Sequence, residues 1–109
     1  MAAKQPPSTI AQVKDVFTKL GEISDKVVFG DVWERKELSK RDRSLVTISA
    51  LTAMSKPDQL HGHLIRALDN GVTKQEIIEV ITHLAFYSGW PNAGTAALVA
   101  KEVFKERGL

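Results

Sequence analysis

The amino-acid sequence predicts an all-α domain built as a bundle of about six helices. Apolar residues recur at intervals of three and four along most of the chain, and residues typical of helix caps separate these segments. No stretch shows the alternation of a half-buried strand, and no internal repeat is evident. With 109 residues, 43% of them hydrophobic, the chain is long enough for one domain with its own core. We therefore expect residues 1–109 to form a single domain.

The N-terminal third of the sequence predicts two helical segments after a flexible lead-in. Residues 1–8 contain adjacent prolines and are expected to be flexible. Ser8 or Thr9 can cap a first helix, which Gly21 is expected to end. The segment 23–33 has an ambiguous apolar period, so we predict a short helix there. The apolar positions of the first helix are Ile10, Val13, Phe17 and Leu20.

Clear start and stop signals define the third and fourth helices. Ser39 is predicted to cap the third helix, which ends near Ser55. Pro57 suits the first position of the fourth helix, and the pair Asn70 and Gly71 is expected to end it. The apolar face of the third helix consists of Leu45, Ile48, Leu51 and Thr52. The apolar stripe of the fourth consists of Leu60, Leu64, Ala67 and Leu68.

Residues typical of helix starts and ends also define the last two helices. Thr73 and Glu76 form a capping box that opens a fifth helix, and Gly89 is expected to end that helix. Pro91 marks the beginning of a sixth helix rich in small residues, so another helix can pack closely against it, from this subunit or another. The apolar set of the fifth helix is Ile77, Val80, Ile81 and Leu84. The small residues of the sixth are Ala93, Gly94, Ala96, Ala97 and Ala100.

Charge and cysteine content argue against several classes of function. The net charge is +2 and the two signs are interspersed, so we expect no nucleic-acid partner. No apolar run approaches the roughly 20 residues that span a bilayer, and the N-terminus lacks the apolar core of a secretory signal. We therefore expect a cytoplasmic protein without a membrane partner. The sequence contains no cysteine, which excludes disulfides and thiolate metal sites.

Ionisable residues between Arg41 and Pro91 fall at the edges of the predicted apolar faces, where an acid-base site without a cofactor can be built. An arginine at a helix start suits a small anion, although a solvated helix end is the commoner explanation. His63 lies beside Leu64, and such a histidine is usually a structural hydrogen-bonding group. His61 and His63 are two residues apart, which points them away from each other on a helix, so no metal site is predicted.

The segment from Trp33 to about Phe104 resembles the carboxymuconolactone decarboxylase family. Within that family it is more similar to the γ-carboxymuconolactone decarboxylases than to the cysteine-bearing peroxidases. The resemblance implies an all-helical subunit that assembles into trimers or hexamers, with sites at or near subunit contacts. The motifs that carry it are RSL at Arg43–Leu45, L-x-x-H at Leu60–His63, the run Ala67–Val80, and H-x-x-x-Y-x-G-x-P at His83–Pro91.

The peroxidase chemistry of the family does not fit this sequence. That branch uses a glutamate, a C-x-x-C pair and a histidine in a proton relay. At the aligned positions this sequence has Ser44 in place of the glutamate and retains His63. Lys56 and Gln59 stand in place of the cysteines. Because thiol peroxidase chemistry requires a thiolate, we predict that the protein is not a thiol peroxidase.

The resemblance implies instead a decarboxylase that acts on a small anionic lactone such as γ-carboxymuconolactone. Loss of carbon dioxide from such a lactone leaves a carbanion that delocalises onto the lactone carbonyl. The substrate is then its own electron sink, so we expect no cofactor. The protein must supply a cation for the carboxylate, a donor near the enolate oxygen, and an acid that returns a proton to carbon.

These requirements and the matching motifs suggest a role for each candidate residue. Arg43 is expected to bind carboxylate through a bidentate fork that lysine lacks. His63 and His83 are the candidates for proton transfer and enolate stabilisation, because imidazoles commonly serve these roles near neutral pH. The candidates for substrate binding are Arg41, Tyr87, Glu79 and Trp33.

Several of these residues also have a plain structural interpretation. Glu79, His83 and Tyr87 are spaced by four residues, so they share one helix face and can form a hydrogen-bonded string. Glu79 can equally be a simple partner of His83. Trp33 is a residue type that more often anchors a core or an interface than stacks on substrate. We interpret Arg66 as part of a solvated helix face.

Two alternatives stay open at this point. The chain can be a non-catalytic oligomeric binding module with the same fold, or an enzyme of the family that acts on a different small acid. Ser88 stands where close decarboxylase relatives often carry cysteine, but this change removes no catalytic group. Convergence of Arg43, His63 and His83 in one pocket favours an enzyme. Side chains turned to solvent or sealed in salt bridges favour the binding module.

Overall fold

The computed structural model describes residues 8–109, and within this range it is entirely helical, with no strand. The all-α prediction is therefore confirmed. The predicted lead-in lies, apart from Ser8, outside the described residues. The α-helices are α1 (Thr9–Val13), α2 (Thr18–Ile23), α3 (Lys40–Ala53), α4 (Pro57–Asp69), α5 (Lys74–Ser88) and α6 (Trp90–Glu106). A π-helical segment (Ser24–Phe29) and a 3-10 turn (Val32–Glu34) connect α2 to α3.

The core lies between α3, α4, α5 and α6, which pack against one another. Leu64 and Ile77 are completely buried, and each such side chain contributes about 1.5–3 kcal/mol through removal of apolar surface from water. The predicted apolar stripes of α4 and α5 supply part of this core, and α6 supplies Val103, Phe104 and small residues that allow close approach. These small core residues are Ala93, Ala96 and Ala100.

The predicted caps of the long helices are confirmed. The Ser39 hydroxyl accepts a hydrogen bond from the Asp42 backbone N–H at 3.0 Å and so caps α3. At the start of α5, Thr73 and Glu76 form both bonds of the capping box. Gly71, after α4, has a φ of +97°, a backbone conformation that residues with a Cβ rarely adopt.

The predictions for the N-terminal segment need correction. The first helix does not run continuously to residue 20, because α1 ends at Val13 and α2 begins only at Thr18. Gly21 does not end the helix but lies buried inside α2. A Cβ at this position would lie 2.5 Å from the Cβ of Lys14, so glycine is required for the close packing of this turn. The segment 23–33 forms the π-helix and the 3-10 turn in place of one short α-helix.

The N-terminal helices lie against the end of α4. The Gln59 side chain donates from Nε2 to the Thr9 hydroxyl at 3.0 Å, which ties α1 to α4. Trp33, in the 3-10 turn, is only 9% exposed and stacks on Phe29 with ring centroids 6.0 Å apart. Phe29 and Trp33 therefore form an aromatic wall beside α4, and the candidate site lies between this wall and the helix.

In the described part of the chain, every helix is too short or too polar to cross a lipid bilayer.

Candidate functional site

A cavity of about 970 Å³ lies between α1, the π-helix, α4 and α6, and it contains His63 and Arg66 of α4. Leu64 and Ile65 of α4 are buried in the core, which fixes the helix rotation that turns His63 and Arg66 toward the cavity. Phe29 of the π-helix lines the same space. Arg66 thus shares a partly aromatic cavity with the imidazoles of His61 and His63, and the carboxylates of Asp25, Asp58 and Glu102 also line it. A guanidinium and an imidazole on one helix face can together bind a small organic anion.

His63 lies at the edge of this cavity in a partly buried position. Its ring stacks on Trp33, with centroids 6.0 Å apart and an interplanar angle of 24°. Its Nδ1 atom is buried and has no hydrogen-bond partner among the described residues. Burial, and after it the positive charge of Arg66, lowers the pKa of His63 below its ordinary value of 6.5. The free imidazole is therefore neutral at neutral pH, and its buried Nδ1 lacks a hydrogen-bond partner in the described part of the chain.

Arg66 presents a guanidinium that no carboxylate of residues 8–109 pairs with. Its Cζ atom lies 4.5 Å from the centroid of the Phe29 ring and 5.5 Å from that of Trp33. Aromatic faces hold the cation in place without neutralising it. Our sequence analysis interpreted Arg66 as a solvated residue. The sequence signal that could have placed Arg66 in the site is its spacing of three residues from His63, which puts both residues on one helix face.

Arg43 lies outside the residues that line this cavity. Its Nη2 donates to the backbone carbonyl of Arg35 at 3.2 Å, and it forms no ion pair with a described carboxylate. Its Nε is buried without a hydrogen-bond partner in the described part of the chain. Arg43 therefore has an unused donor in a different environment from that of His63, and Arg43, His63 and His83 do not converge in one pocket within this chain.

Arg41 is bound to carboxylates of the protein itself. It donates to the Glu76 carboxylate, and its Nη1 lies 3.4 Å from Oδ1 of Asp42. The hydrogen bond with Glu76 raises the pKa of Arg41. The backbone N–H of Thr73, followed by Arg41, lowers the pKa of Glu76. Arg41 is thus part of the structure that joins the start of α3 to the start of α5.

His83, Tyr87 and Glu79 lie on the solvent-exposed face of α5 and outside the cavity. The rings of His83 and Tyr87 stack with centroids 4.8 Å apart, and the Tyr87 side chain is 78% exposed. No hydrogen bond joins these three side chains, so the predicted hydrogen-bonded string is replaced by ring stacking. Phe86 and Trp90, adjacent on this surface, are also exposed and contact each other edge to face.

Three partly or fully buried polar side chains, those of Ser44, Ser88 and Asn92, form hydrogen bonds within the fold. Ser44 is buried and accepts a hydrogen bond from the Asn70 side chain at 3.0 Å. The Ser88 hydroxyl donates to the Leu84 carbonyl at 2.8 Å. Asn92 donates to the Ala53 carbonyl at 2.9 Å and so joins α6 to the end of α3. None of these polar groups reaches the cavity.

Comparison with known proteins decides the family. The model of the carboxymuconolactone decarboxylase family matches residues 19–102. This chain belongs to the carboxymuconolactone decarboxylase family. The matched range includes the aromatic wall, His63 and Arg66, and almost all of the four core helices.

The named proteins to which this chain is similar include two decarboxylases. The 4-carboxymuconolactone decarboxylase of Acinetobacter baylyi is 43% identical over 109 residues, which cover 100% of this chain and 81% of the relative. The nitrosuccinic acid decarboxylase of Metarhizium robertsii is 33% identical over 91 residues, covering 83% of this chain and 64% of the relative. An uncharacterized 15.0 kDa protein of Paracoccus denitrificans is 36% identical over 81 residues, covering 72% of this chain and 60% of the relative.

Proposed function

We propose that this protein is a cofactor-independent decarboxylase of a small anionic lactone, with γ-carboxymuconolactone as the leading substrate. The observation that carries the proposal is the presence of His63 and Arg66 in one cavity, where no described carboxylate forms an ion pair with Arg66. The similarity to the Acinetobacter 4-carboxymuconolactone decarboxylase, which extends over the whole of this chain, supports the same reaction.

The chemistry requires little from the protein besides binding and one proton. The bond between the lactone carbon and its carboxylate breaks, carbon dioxide leaves, and the electron pair delocalises onto the lactone carbonyl oxygen. A proton then returns to carbon. A carboxylate bound beside His63 favours the imidazolium form, because an adjacent negative charge raises the pKa of a histidine. The substrate thus promotes protonation of the acid that completes its own reaction.

Arg66 and Arg43 are the two candidates for binding the substrate carboxylate. Arg66 has the better position for the cavity, since it lines the same space as His63. The guanidinium of Arg66 can form a bidentate pair with a carboxylate, and none of the described carboxylates competes for it. We therefore assign the first carboxylate contact to Arg66. Arg43 contributes through its unused Nε only if the substrate extends toward the start of α3.

His83 and Tyr87 can act in this reaction only in an assembly. They lie on an exposed aromatic face of α5, of the kind that subunit contacts often cover. A homotrimer or homohexamer in which this face meets another subunit would bring the pair toward a site. The assembly and the roles of His83, Tyr87 and Glu79 are thus one linked proposal. Arg41 can bind substrate only if it leaves the Glu76 carboxylate.

A different small acid is the second candidate substrate. The Metarhizium relative is named for nitrosuccinic acid, a diacid in which a nitro group can accept the electron pair that decarboxylation releases. A lactone carbonyl and a nitro group are both oxygen acceptors for such a carbanion. An Arg66 and His63 pair suits either, because both substrates present a carboxylate beside the reacting carbon.

The test measures carbon dioxide release and loss of substrate absorbance for the purified protein given γ-carboxymuconolactone. His63→Ala and His83→Ala are assayed beside it, with helicity and oligomer size checked in each. Activity that His63→Ala abolishes in a folded protein supports the proposal. Turnover that His83→Ala alone abolishes moves the proton donor to α5. An inactive parent protein excludes this substrate, and nitrosuccinic acid is then tested in the same assay.

A further inference from the structure

A second cluster of ionisable groups lies at the rim of the cavity and has no part in the proposed reaction. It consists of His61 on α4 and of Glu102 and Glu106 on α6. One ligand atom from each residue lies within 4.8 Å of those of the other two. His61 Nε2 is 3.3 Å from Glu106 Oε1. An imidazole from one helix thus faces two carboxylates from another.

The backbone positions of this cluster are fixed by the core. His61 follows Leu60, which is 1% exposed, and Glu102 precedes Val103, which is fully buried. α4 and α6 pack directly against each other through these buried residues. The three side chains are partly exposed, so they can adjust by rotation while their helices stay in place.

The charge of the cluster favours a cation. Glu102 and Glu106 are four residues apart on one helix face, where like charges destabilise each other. Glu102 forms no hydrogen bond or ion pair with a described residue, and Glu106 contacts only His61. The cluster therefore contains two carboxylates and one imidazole, so it carries a net negative charge. A divalent ion between the three ligands would neutralise this charge.

The ligand types select the metal. We infer that His61, Glu102 and Glu106 form a binding site for a divalent transition-metal ion of the zinc class. Tetrahedral zinc with bonds of about 2.0–2.2 Å holds its ligand atoms about 3.4 Å apart. The His61 and Glu106 atoms already have this separation, and rotation of Glu102 brings in the third ligand. Calcium and magnesium prefer all-oxygen sites, so the imidazole disfavours them.

This site is distinct from the His61-x-His63 pair, whose side chains our sequence analysis judged unable to share a metal. His61 instead finds its co-ligands on α6, which the spacing within α4 cannot reveal. Three protein ligands leave one position of a tetrahedral ion for water or an anion. His61 and Glu102 line the cavity that also contains Arg66, so an ion held there would lie at the edge of that space. The inference is independent of the decarboxylase proposal, which requires no metal.

The test is calorimetric titration of zinc chloride into the tag-free, chelator-treated protein. The expected result is one zinc ion per chain. His61→Gln, Glu102→Gln and Glu106→Gln should each weaken zinc binding at least about tenfold, because each removes one ligand. The matched controls are His83→Gln and Glu79→Gln, which change an exposed histidine and an exposed glutamate on α5 and should leave zinc affinity unchanged.

Three results would overturn the inference. They are no zinc binding by the parent protein, unchanged affinity in His61→Gln and Glu102→Gln, and magnesium binding as tight as zinc binding. Helicity measured by circular dichroism accompanies each variant, so a loss of binding in a folded protein is assigned to the lost ligand. Cobalt(II) absorption gives a second readout, since the intensity of its visible bands distinguishes a tetrahedral site from an octahedral one.

Discussion

Replacement of Arg66 by methionine tests whether the cavity binds substrate through this guanidinium. Methionine keeps an unbranched apolar chain against Phe29 and Trp33 while it removes the charge. No described carboxylate pairs with Arg66, so the substitution leaves no buried partner unsatisfied. The change in activity therefore reports the contact with substrate rather than a damaged ion-pair network.

The magnitude follows from the bond that is lost. A hydrogen bond to a charged group contributes about 1.5–3 kcal/mol, which corresponds to a fall in kcat/KM of roughly 10- to 150-fold. If Arg66 binds the carboxylate equally in ground and transition states, the fall lies in KM. Arg66→Lys keeps the charge but loses the bidentate geometry, so its activity should lie between those of the parent and Arg66→Met.

Steady-state kinetics with γ-carboxymuconolactone gives these values. Arg35→Met is the matched control, because Arg35 is an exposed arginine outside the cavity that pairs only with Glu37 among the described carboxylates. The assignment is wrong if Arg66→Met keeps the parent kcat/KM, or if Arg43→Met shows the larger loss. In the second case the carboxylate site lies at the start of α3.

Four further predictions concern stability. The pKa of His63 is lowered in the folded protein, so between that pKa and about pH 6.5 the unfolded chain binds more protons. The free energy of unfolding should therefore rise with pH in this window. Denaturant titrations at several pH values should show that it rises less steeply with pH in His63→Gln. Gly21→Ala should destabilise the fold by about 1–3 kcal/mol, because its Cβ would lie 2.5 Å from that of Lys14. Gly94→Ala, with no atom within 4 Å of the new Cβ, should stabilise by up to about 1 kcal/mol. Thr73→Ala should cost about 1 kcal/mol through loss of the α5 cap, measured as a shift in the denaturation midpoint at unchanged slope.

Local signals determined how much of the fold the sequence could predict. The boundaries of α3, α4 and α5 depend on Ser39, Pro57 and the capping box at Thr73, each of which acts within one turn of its own helix. The N-terminal segment was predicted less well for a physical reason. Gly21 was expected to stop a helix, but it allows close approach to Lys14, and such a contact depends on the tertiary path of the chain.

In the candidate site, too, the sequence could predict local features but not those that depend on the tertiary fold. Helix periodicity puts His63 and Arg66 on one face of α4, so that pair was within reach of the sequence. The wall formed by Phe29 and Trp33 was not, because it depends on a π-helix and a 3-10 turn that no simple period predicts. The grouping of His61 with Glu106 was equally hidden, since 45 residues separate them along the chain.

The two sides of α4 have different roles, one in the packing of the core and the other in lining the cavity. Leu60 and Leu64 bury one side of the helix in the core, where any movement would create a cavity. His63 and Arg66 occupy the other side, so their positions are set by that rigid packing rather than by a loop. The aromatic rings that hold Arg66 come from the less regular segment before α3. In the proposed reaction, substrate contacts depend on both the fixed helix α4 and the rings of Phe29 and Trp33, which lie outside the four-helix core. Substitutions of these two rings should alter substrate choice before they alter stability.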